Sequence, residues 1–233
     1  FRELGFWIKE NSNPNDTMVG FVNPALAFYM DRKLLHYPML NAQEASYAGF
    51  LEYLKNNDPK FLINIYNPIV DDNLIKLSNE QVSHDWFSNN NIPVIVAVGR
   101  LAKAKDYPTL FKAIKIILKK QAIRLIVLGE GPEGIKLKKM VEIMGLAKNI
   151  DFLGFCENSY KYIKKSSVFV LSSMQEGFGN TIVEAMACSK PVIATNCPSG
   201  PAEIIEDGKS GILVPVANPE ALANAILKVL NNY

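Results

Sequence analysis

From residue 92 onward, short apolar blocks alternate with amphipathic stretches in a regular order. Blocks at 92–98, 124–128, 150–153, 168–171 and 192–195, with a shorter one at 212–214, are nearly continuous runs of Val, Ile, Leu and Phe. Such runs suit strands buried on both faces, as in a parallel sheet. The intervening stretches at 107–119, 134–144, 158–164, 181–187, 201–205 and 219–230 place apolar residues at helical spacing. Strands that alternate with helices predict parallel pairing through right-handed crossovers. The expected fold class is therefore α/β, a doubly wound, Rossmann-like parallel sheet over residues 92–233.

The pattern before residue 92 is less regular. Residues 17–22 read as a short buried strand, followed by Asn23-Pro24 and an apolar, helix-like run to about Met30. Residues 4–10 could end a helix, and 46–55 look amphipathic, with Phe50, Leu51 and Leu54 on one side. Residues 61–66 read as a strand that stops at Asn67-Pro68. The polar stretch 71–91, with Asp71, Asp72 and the run Asn89-Asn90-Asn91, reads as the linker and entry to the second domain. The expected division is a partial first domain at 1–70, a linker or interdomain crossing at 71–91 and a second domain at 92–233. Some 90 residues are too few for a complete doubly wound domain of the usual size, so the first domain is expected to be truncated or to lack stretches. The start at Phe1 rather than Met fits a fragment or a processed form.

The chemistry concentrates in Val168 to Ser189. Four apolar residues lead into Glu176-Gly-Phe-Gly, and a helix follows, for which Asn180 is the expected N-cap. Glycines let backbone approach a ligand closely. Strand, glycine turn and helix is the arrangement that holds ligands at strand carboxyl ends, and a helix start suits a phosphate. Glu176 and Glu184, eight residues apart, are poor phosphate ligands but good acceptors for sugar hydroxyls. The bland alternative makes both of them solvated surface acids. After the first strand, Arg100 and Lys105 flank a turn where two cations could clamp a diphosphate and neutralise a leaving nucleoside diphosphate. Two exposed surface cations are the alternative, and Lys103 in the same loop competes with Lys105.

Glu176-Gly-Phe-Gly and Glu184-Ala-Met-Ala resemble the E-x7-E motif of retaining GT-B-fold glycosyltransferases, the large glycosyl transferases group 1 family. Pro191-Val-Ile-Ala-Thr and Gly200-Pro-Ala-Glu-Ile-Ile also look like that family's C-terminal domain. The likeness is dense from about residue 92 to 230 and weak before it, where only the second half of an N-terminal Rossmann-like domain is suggested. Gly99, Arg100, Leu101 and Lys105 match the family's Gly-Arg-Leu pattern with a following lysine, although Asp106 stands where many relatives have Gly. The resemblance implies transfer of a hexose or N-acetylhexosamine, with retention, from a nucleoside-diphosphate sugar, with UDP the expected carrier. The hydroxyl acceptor would belong to a surface polysaccharide or a lipid-linked glycan.

It implies roles for Glu176, Arg100 and Lys105 in catalysis. Arg100 and Lys105 would hold the diphosphate, Glu176 the donor sugar and Glu184 the ribose. Gly99 and the turn Gly177, Phe178, Gly179, Asn180 and Thr181 would line the donor site, and Gly154 and Phe155 would lie near the base. Phe155 as a core aromatic at a strand end is an equal alternative. Gly200 and Glu203 fit loop packing and helix capping, with a ligand contact by Glu203 the lesser option. No metal or other cofactor is expected, since the cations would neutralise the diphosphate and no His/Cys/Asp cluster has metal spacing. Neither His36 nor His84 matches a catalytic histidine, and His84 beside Trp86 reads as structural.

A literal G-x-G-x-x-G at Gly129, Gly131 and Gly134, with Asp151 some 20 residues on, would by itself suggest a dinucleotide site. Glu130 and Glu133 would repel a pyrophosphate there, and Pro132 removes an N–H that it needs. A structural turn near the donor pocket is the preferred reading.

Composition narrows the remaining classes. Lys+Arg is 25 against 23 for Asp+Glu, so no strong field points to nucleic acid. Cys156, Cys188 and Cys197 lack metal-type spacing and fit a reduced cytosolic setting, and no apolar run is long enough to span a membrane. Lysines recur on the helical stretches, at Lys112, Lys115 and Lys119, Lys136, Lys138 and Lys139, and Lys161, Lys164 and Lys165. They read as solvated faces, or as peripheral contact with the inner face of a membrane if the acceptor is lipid-linked. A module that binds nucleotide sugar without transferring it is the main alternative to an enzyme.

Overall fold

The structure is a computed structural model, and it describes residues 18–21, 34–35, 61–64, 69–88 and 92–231. The chain forms two compact units, Phe1–Asn67 and Pro68–Tyr233. In the first, the described residues form three parallel strands, β1 (Met18–Phe21), β2 (Leu34–Leu35) and β3 (Phe61–Asn64), in the order β2-β1-β3. Both strands expected there are present, each somewhat shorter than the apolar run around it. The helical stretches expected at 4–10, 24–30 and 46–55 lie outside the described residues.

The second unit begins with helix α1 (Asp72–Ser78), capped by the Asp71 carboxylate, which accepts from the Leu74 N–H at 2.7 Å. A 3-10 turn at Asp85–Phe87 follows. The polar sequence 71–91 thus contains a packed helix, because Leu74 is 1% exposed and sits in the core of this unit. Within the helix Leu74 is the only buried apolar residue, which leaves little periodicity to read.

Six parallel strands then alternate with helices. They are β4 (Val94–Val98), β5 (Arg124–Leu128), β6 (Ile150–Gly154), β7 (Val168–Leu171), β8 (Val192–Thr195) and β9 (Ile212–Val214). The helices are α2 (Tyr107–Ile117), α3 (Gly134–Ile143), α4 (Tyr160–Lys165), α5 (Asn180–Ala187), α6 (Pro201–Ile204) and α7 (Pro219–Asn231). All six strands and all six helices expected from residue 92 onward are present, with ends shifted by two residues or fewer. Alternate side chains of each strand feed opposite faces of the sheet. Ile95 and Ala97 of β4 join α2, α3 and α7 in one core, and Val94 and Val96 join α1, α4 and α5 in the other.

Strand order is β6-β5-β4-β7-β8-β9. The chain winds outward from β4 through β5 to β6, then returns to the other side of β4 and winds outward through β7, β8 and β9. The direction of winding reverses between β4 and β7. In an open α/β sheet the crevice beyond the carboxyl ends of two such strands is where ligands bind.

Candidate active site

The loops leaving β4 and β7 meet at this crevice. After β4 the chain runs through Gly99 and Arg100 into a 3-10 turn, Lys103–Lys105, and then into α2. Asp106 makes the join with φ 42° and ψ 48°. That left-handed conformation suits Gly, Asp and Asn, so an aspartate can stand where glycine is common. Its carboxylate also caps α2 by accepting from the Thr109 N–H at 3.4 Å. The Tyr107 hydroxyl donates to the Gly99 carbonyl at 2.9 Å and braces the loop from below. Burial, then the charge of Glu176, pushes the Tyr107 phenol well above its ordinary range, so it stays a donor.

The loop after β7 is stitched to the loop after β4. The Ser172 hydroxyl donates to the Lys105 carbonyl at 2.9 Å, and the Met174 N–H donates to the Ala104 carbonyl at 2.7 Å. With the backbones fixed, the Lys105 ammonium lies 2.5 Å from Glu176 Oε1, and the Ser173 hydroxyl donates to the same oxygen at 2.5 Å. The Glu176 side chain is only 8% exposed, and that of Lys105 is 23% exposed. Lys103 is exposed and Lys105 half-buried, so the competing lysine points to solvent while Lys105 reaches the crevice.

Behind the turn lies α5. Its N-cap is Gly179, with φ 93° and no side-chain cap, and Asn180 is the first helical residue. Asn180 was the expected N-cap. Glycine takes that place because the chain must turn through a left-handed conformation to enter the helix. The helix therefore presents its N-terminal backbone groups, with their partial positive charge, without a capping side chain. Gly200 fits against this turn: a Cβ there would lie 1.9 Å from the Phe178 carbonyl oxygen. The Glu203 carboxylate accepts from the Gly200 N–H at 3.1 Å, so Gly200 and Glu203 supply the loop packing and helix capping expected of them. Gly177 is exposed, and Phe178 and Thr181 are half-buried.

Glu184 lies on the second turn of α5, half-buried, and burial pushes its carboxyl above the usual carboxylate range. Its charge raises the Tyr160 phenol after the larger effect of burial there, which marks the two as neighbours. Cys197 is a buried thiol raised first by burial and then by Glu176.

A cavity of about 320 Å³ flanks the crevice, lined by Val98, Gly99, Arg100, Leu128, Gly129, Glu130, Phe155 and Cys156. Arg100 is exposed at its edge, and Phe155 is 75% exposed, which removes the core-aromatic alternative for it. Gly154 turns the chain there with φ 73°, and its carbonyl accepts from the Gly129 N–H at 2.7 Å.

The glycine-rich segment after β5 is spent on packing backbone against backbone. A Cβ on Gly129 would lie 2.1 Å from the Gly99 carbonyl oxygen, and one on Gly131 would lie 2.5 Å from that of Leu101. Asp151, the acid that a ribose would need in a dinucleotide site, is 3.2 Å from His84 Nε2. His84 Nδ1 accepts from the Trp86 N–H, which puts the ring proton on Nε2 toward Asp151. Both groups serve to seat the Asp85–Phe87 turn against the sheet. Among the described residues, no group of three or more His, Cys, Asp or Glu side chains is placed to hold a metal ion.

The sequence reading missed Ser172, Ser173, Tyr107 and Thr195. All four are buried at strand ends or beside the crevice, and the Thr195 hydroxyl donates to the Ser173 carbonyl at 2.5 Å. Hydroxyls at the ends of the apolar runs 168–171 and 192–194 were the available signal for Ser172, Ser173 and Thr195.

Lys105 and Glu176 thus meet at the winding switch, beside a helix start without a side-chain cap, in a doubly wound α/β unit. The family model for glycosyl transferases group 1 matches residues 78–233, and the chain belongs to that family. One relative is the Campylobacter jejuni N-acetylgalactosamine-N,N'-diacetylbacillosaminyl-diphospho-undecaprenol 4-alpha-N-acetylgalactosaminyltransferase, 32% identical over 202 residues, covering 85% of this chain and 53% of that protein. Another is the Staphylococcus aureus poly(ribitol-phosphate) alpha-N-acetylglucosaminyltransferase, 29% identical over 73% of this chain and 35% of that protein. The chain spans about half the length of the first of these and about a third of the second. The fold is shared with Anabaena Alr3699/HepE solved with UDP, at a TM-score of 0.71 and 20% identity over 99% of this chain and 73% of that one. The same protein solved with UDP-glucose gives a TM-score of 0.70 at 22% identity. The fold is thus the GT-B-like α/β class expected from the sequence.

Proposed function

We infer that the chain is the donor-binding part of a retaining glycosyltransferase that moves a hexose or N-acetylhexosamine from a UDP-sugar to a hydroxyl acceptor. The observation that carries this reading is the meeting of Lys105 and Glu176 at the switch between β4 and β7, beside the uncapped start of α5. A diphosphate has the size and charge to lie between Lys105, Arg100 and the N–H groups of Gly179, Asn180 and Thr181. Glu184, one turn further along α5, accepts from ribose hydroxyls, and Glu176 faces the donor sugar. Gly99, Gly154 and Phe155 border the base, and Gly177 and Phe178 close the turn over the phosphates.

Departure of the diphosphate leaves an oxocarbenium-like centre and builds negative charge on the leaving oxygen. Fixed cations and backbone dipoles aimed at that charge are the main means of lowering such a barrier. Arg100 and Lys105 supply them, and the reaction needs no metal ion or other cofactor. The relatives named for lipid-linked and polyol-phosphate acceptors support a surface polysaccharide or lipid-linked glycan as acceptor. No described helix is long and apolar enough to cross a membrane. The exposed lysines of α2 and α3 would suit a cytoplasmic protein in peripheral contact with an anionic inner surface.

Titration with UDP, GDP and NAD, followed by turnover of UDP-sugars, tests the reading. Stabilisation by UDP with release of UDP from a UDP-sugar is expected. UDP binding without turnover would make the chain a binding module, and a response to NAD alone would overturn the assignment.

A further inference from the structure

We propose that Ser173 is a positioning residue that holds Glu176 on the donor sugar once a diphosphate has drawn Lys105 away, and that Thr195 locks Ser173 in place. The inference rests on the donor-site reading above. One oxygen, Glu176 Oε1, accepts from two donors of different mobility, each at 2.5 Å. Lys105 ends a long side chain that is 23% exposed, and it can follow an arriving phosphate. Ser173 has far less reach: it is fully buried, with a short side chain. Its own carbonyl accepts from the hydroxyl of Thr195, itself fully buried at the end of β8.

A diphosphate carries more negative charge than one carboxylate and competes for the lysine. When the ammonium turns to the phosphates, Glu176 loses its counter-charge while the incoming anion repels it. A carboxylate with no remaining partner would rotate outward to solvent. The Ser173 hydroxyl retains it at the inner wall, where it can accept a donor-sugar hydroxyl with its second oxygen. The lysine thus passes between carboxylate and diphosphate, and the serine keeps the carboxylate from following it.

The test separates binding of the nucleotide from turnover. S173A and T195V are measured for UDP affinity, for donor KM and for kcat with a UDP-sugar. S173A is expected to keep UDP affinity within about threefold and donor KM nearly unchanged while kcat falls at least tenfold. T195V, which is nearly isosteric, should show the same split in weaker form and serves as the test if S173A does not fold. Unchanged kcat in S173A would overturn the proposal, and so would parallel losses of kcat and UDP affinity, the mark of general disruption. Failure of the unaltered protein to bind UDP would instead remove the donor-site reading on which the proposal stands.

Discussion

The Lys105–Glu176 pair should be measurable both as stability and as competition with the ligand. At 2.5 Å and an effective dielectric of about 20, the gross attraction between the two charges is roughly 7 kcal/mol. Desolvating both charges offsets most of this. Lys105→Ala leaves the nearly buried Glu176 carboxylate with Ser173, so the net loss should be about 1–3 kcal/mol, the scale of a lost charged partner. For a unit of this size that corresponds to roughly 3–9 °C in the melting temperature. Glu176→Gln in the Lys105→Ala background should restore much of the loss, because the uncompensated charge is gone. The ligand arm has opposite signs for the two residues. Lys105→Ala should weaken UDP binding by about 1.5–3 kcal/mol, the value of a charge-assisted hydrogen bond. Glu176→Ala frees the lysine and should leave UDP affinity equal or tighter while transfer is lost. Differential scanning fluorimetry and calorimetric titration read both arms. If the double substitution melts below Lys105→Ala, or if Glu176→Ala weakens UDP as much as Lys105→Ala does, the two side chains do not work as described.

Other outcomes follow from the same geometry. Glu184→Ala should weaken UDP binding by roughly 1–3 kcal/mol, seen by titration, and unchanged affinity would count against the ribose assignment. Because burial raises the Glu184 carboxyl, the ionised form that accepts ribose hydroxyls is lost on acidification at a higher pH than for an ordinary carboxylate. UDP affinity should fall there, and Glu184→Gln should remove that pH dependence. The stability sign is the reverse: a raised folded-state pKa favours the fold when protonated and is a cost once the pH rises through it, so Glu184→Gln should melt higher at neutral pH. Gly200→Ala places a Cβ 1.9 Å from the Phe178 carbonyl oxygen at φ 84°, so thermal unfolding should show a loss of about 1–3 kcal/mol. Tyr107→Phe, which removes the brace on Gly99, should cost about 1 kcal/mol in the same assay.

Much of the second unit was legible because its strands are buried on both faces. Continuous runs such as 168–171 stand out against turn residues, and the helix between two such runs is then nearly forced. The helix Asp72–Ser78 in the stretch read as linker and entry to the second domain was not legible, since Leu74 is its only buried apolar residue and one residue has no period. The charged pair of the candidate site was legible from residue type and place: a lysine in the turn after the first strand and a glutamate in the turn after the fourth. Their meeting was not, because it depends on strand order, which puts β4 beside β7 although 69 residues separate Val98 from Val168 in a numbering that skips past β5 and β6. The hydroxyl network of Ser172, Ser173 and Thr195 was hidden for the same reason. The Ser172 hydroxyl bonds across to the loop after β4 and the Thr195 hydroxyl to the loop after β7, while that of Ser173 stays within its own loop, on Glu176. The apparent dinucleotide fingerprint shows the converse: glycines at a ligand-like spacing serve to let Gly99 and Leu101 approach.

The central claim is that one crevice holds a nucleoside diphosphate between the loop after β4 and the start of α5. A crystal structure of the protein soaked with UDP tests it most directly. The diphosphate should lie against Lys105, Arg100 and the N–H groups of Asn180 and Thr181, with the ribose on Glu184 and the Lys105–Glu176 bond lengthened. UDP seated elsewhere, or a crevice that stays closed by an unbroken Lys105–Glu176 pair at saturating UDP, would contradict it.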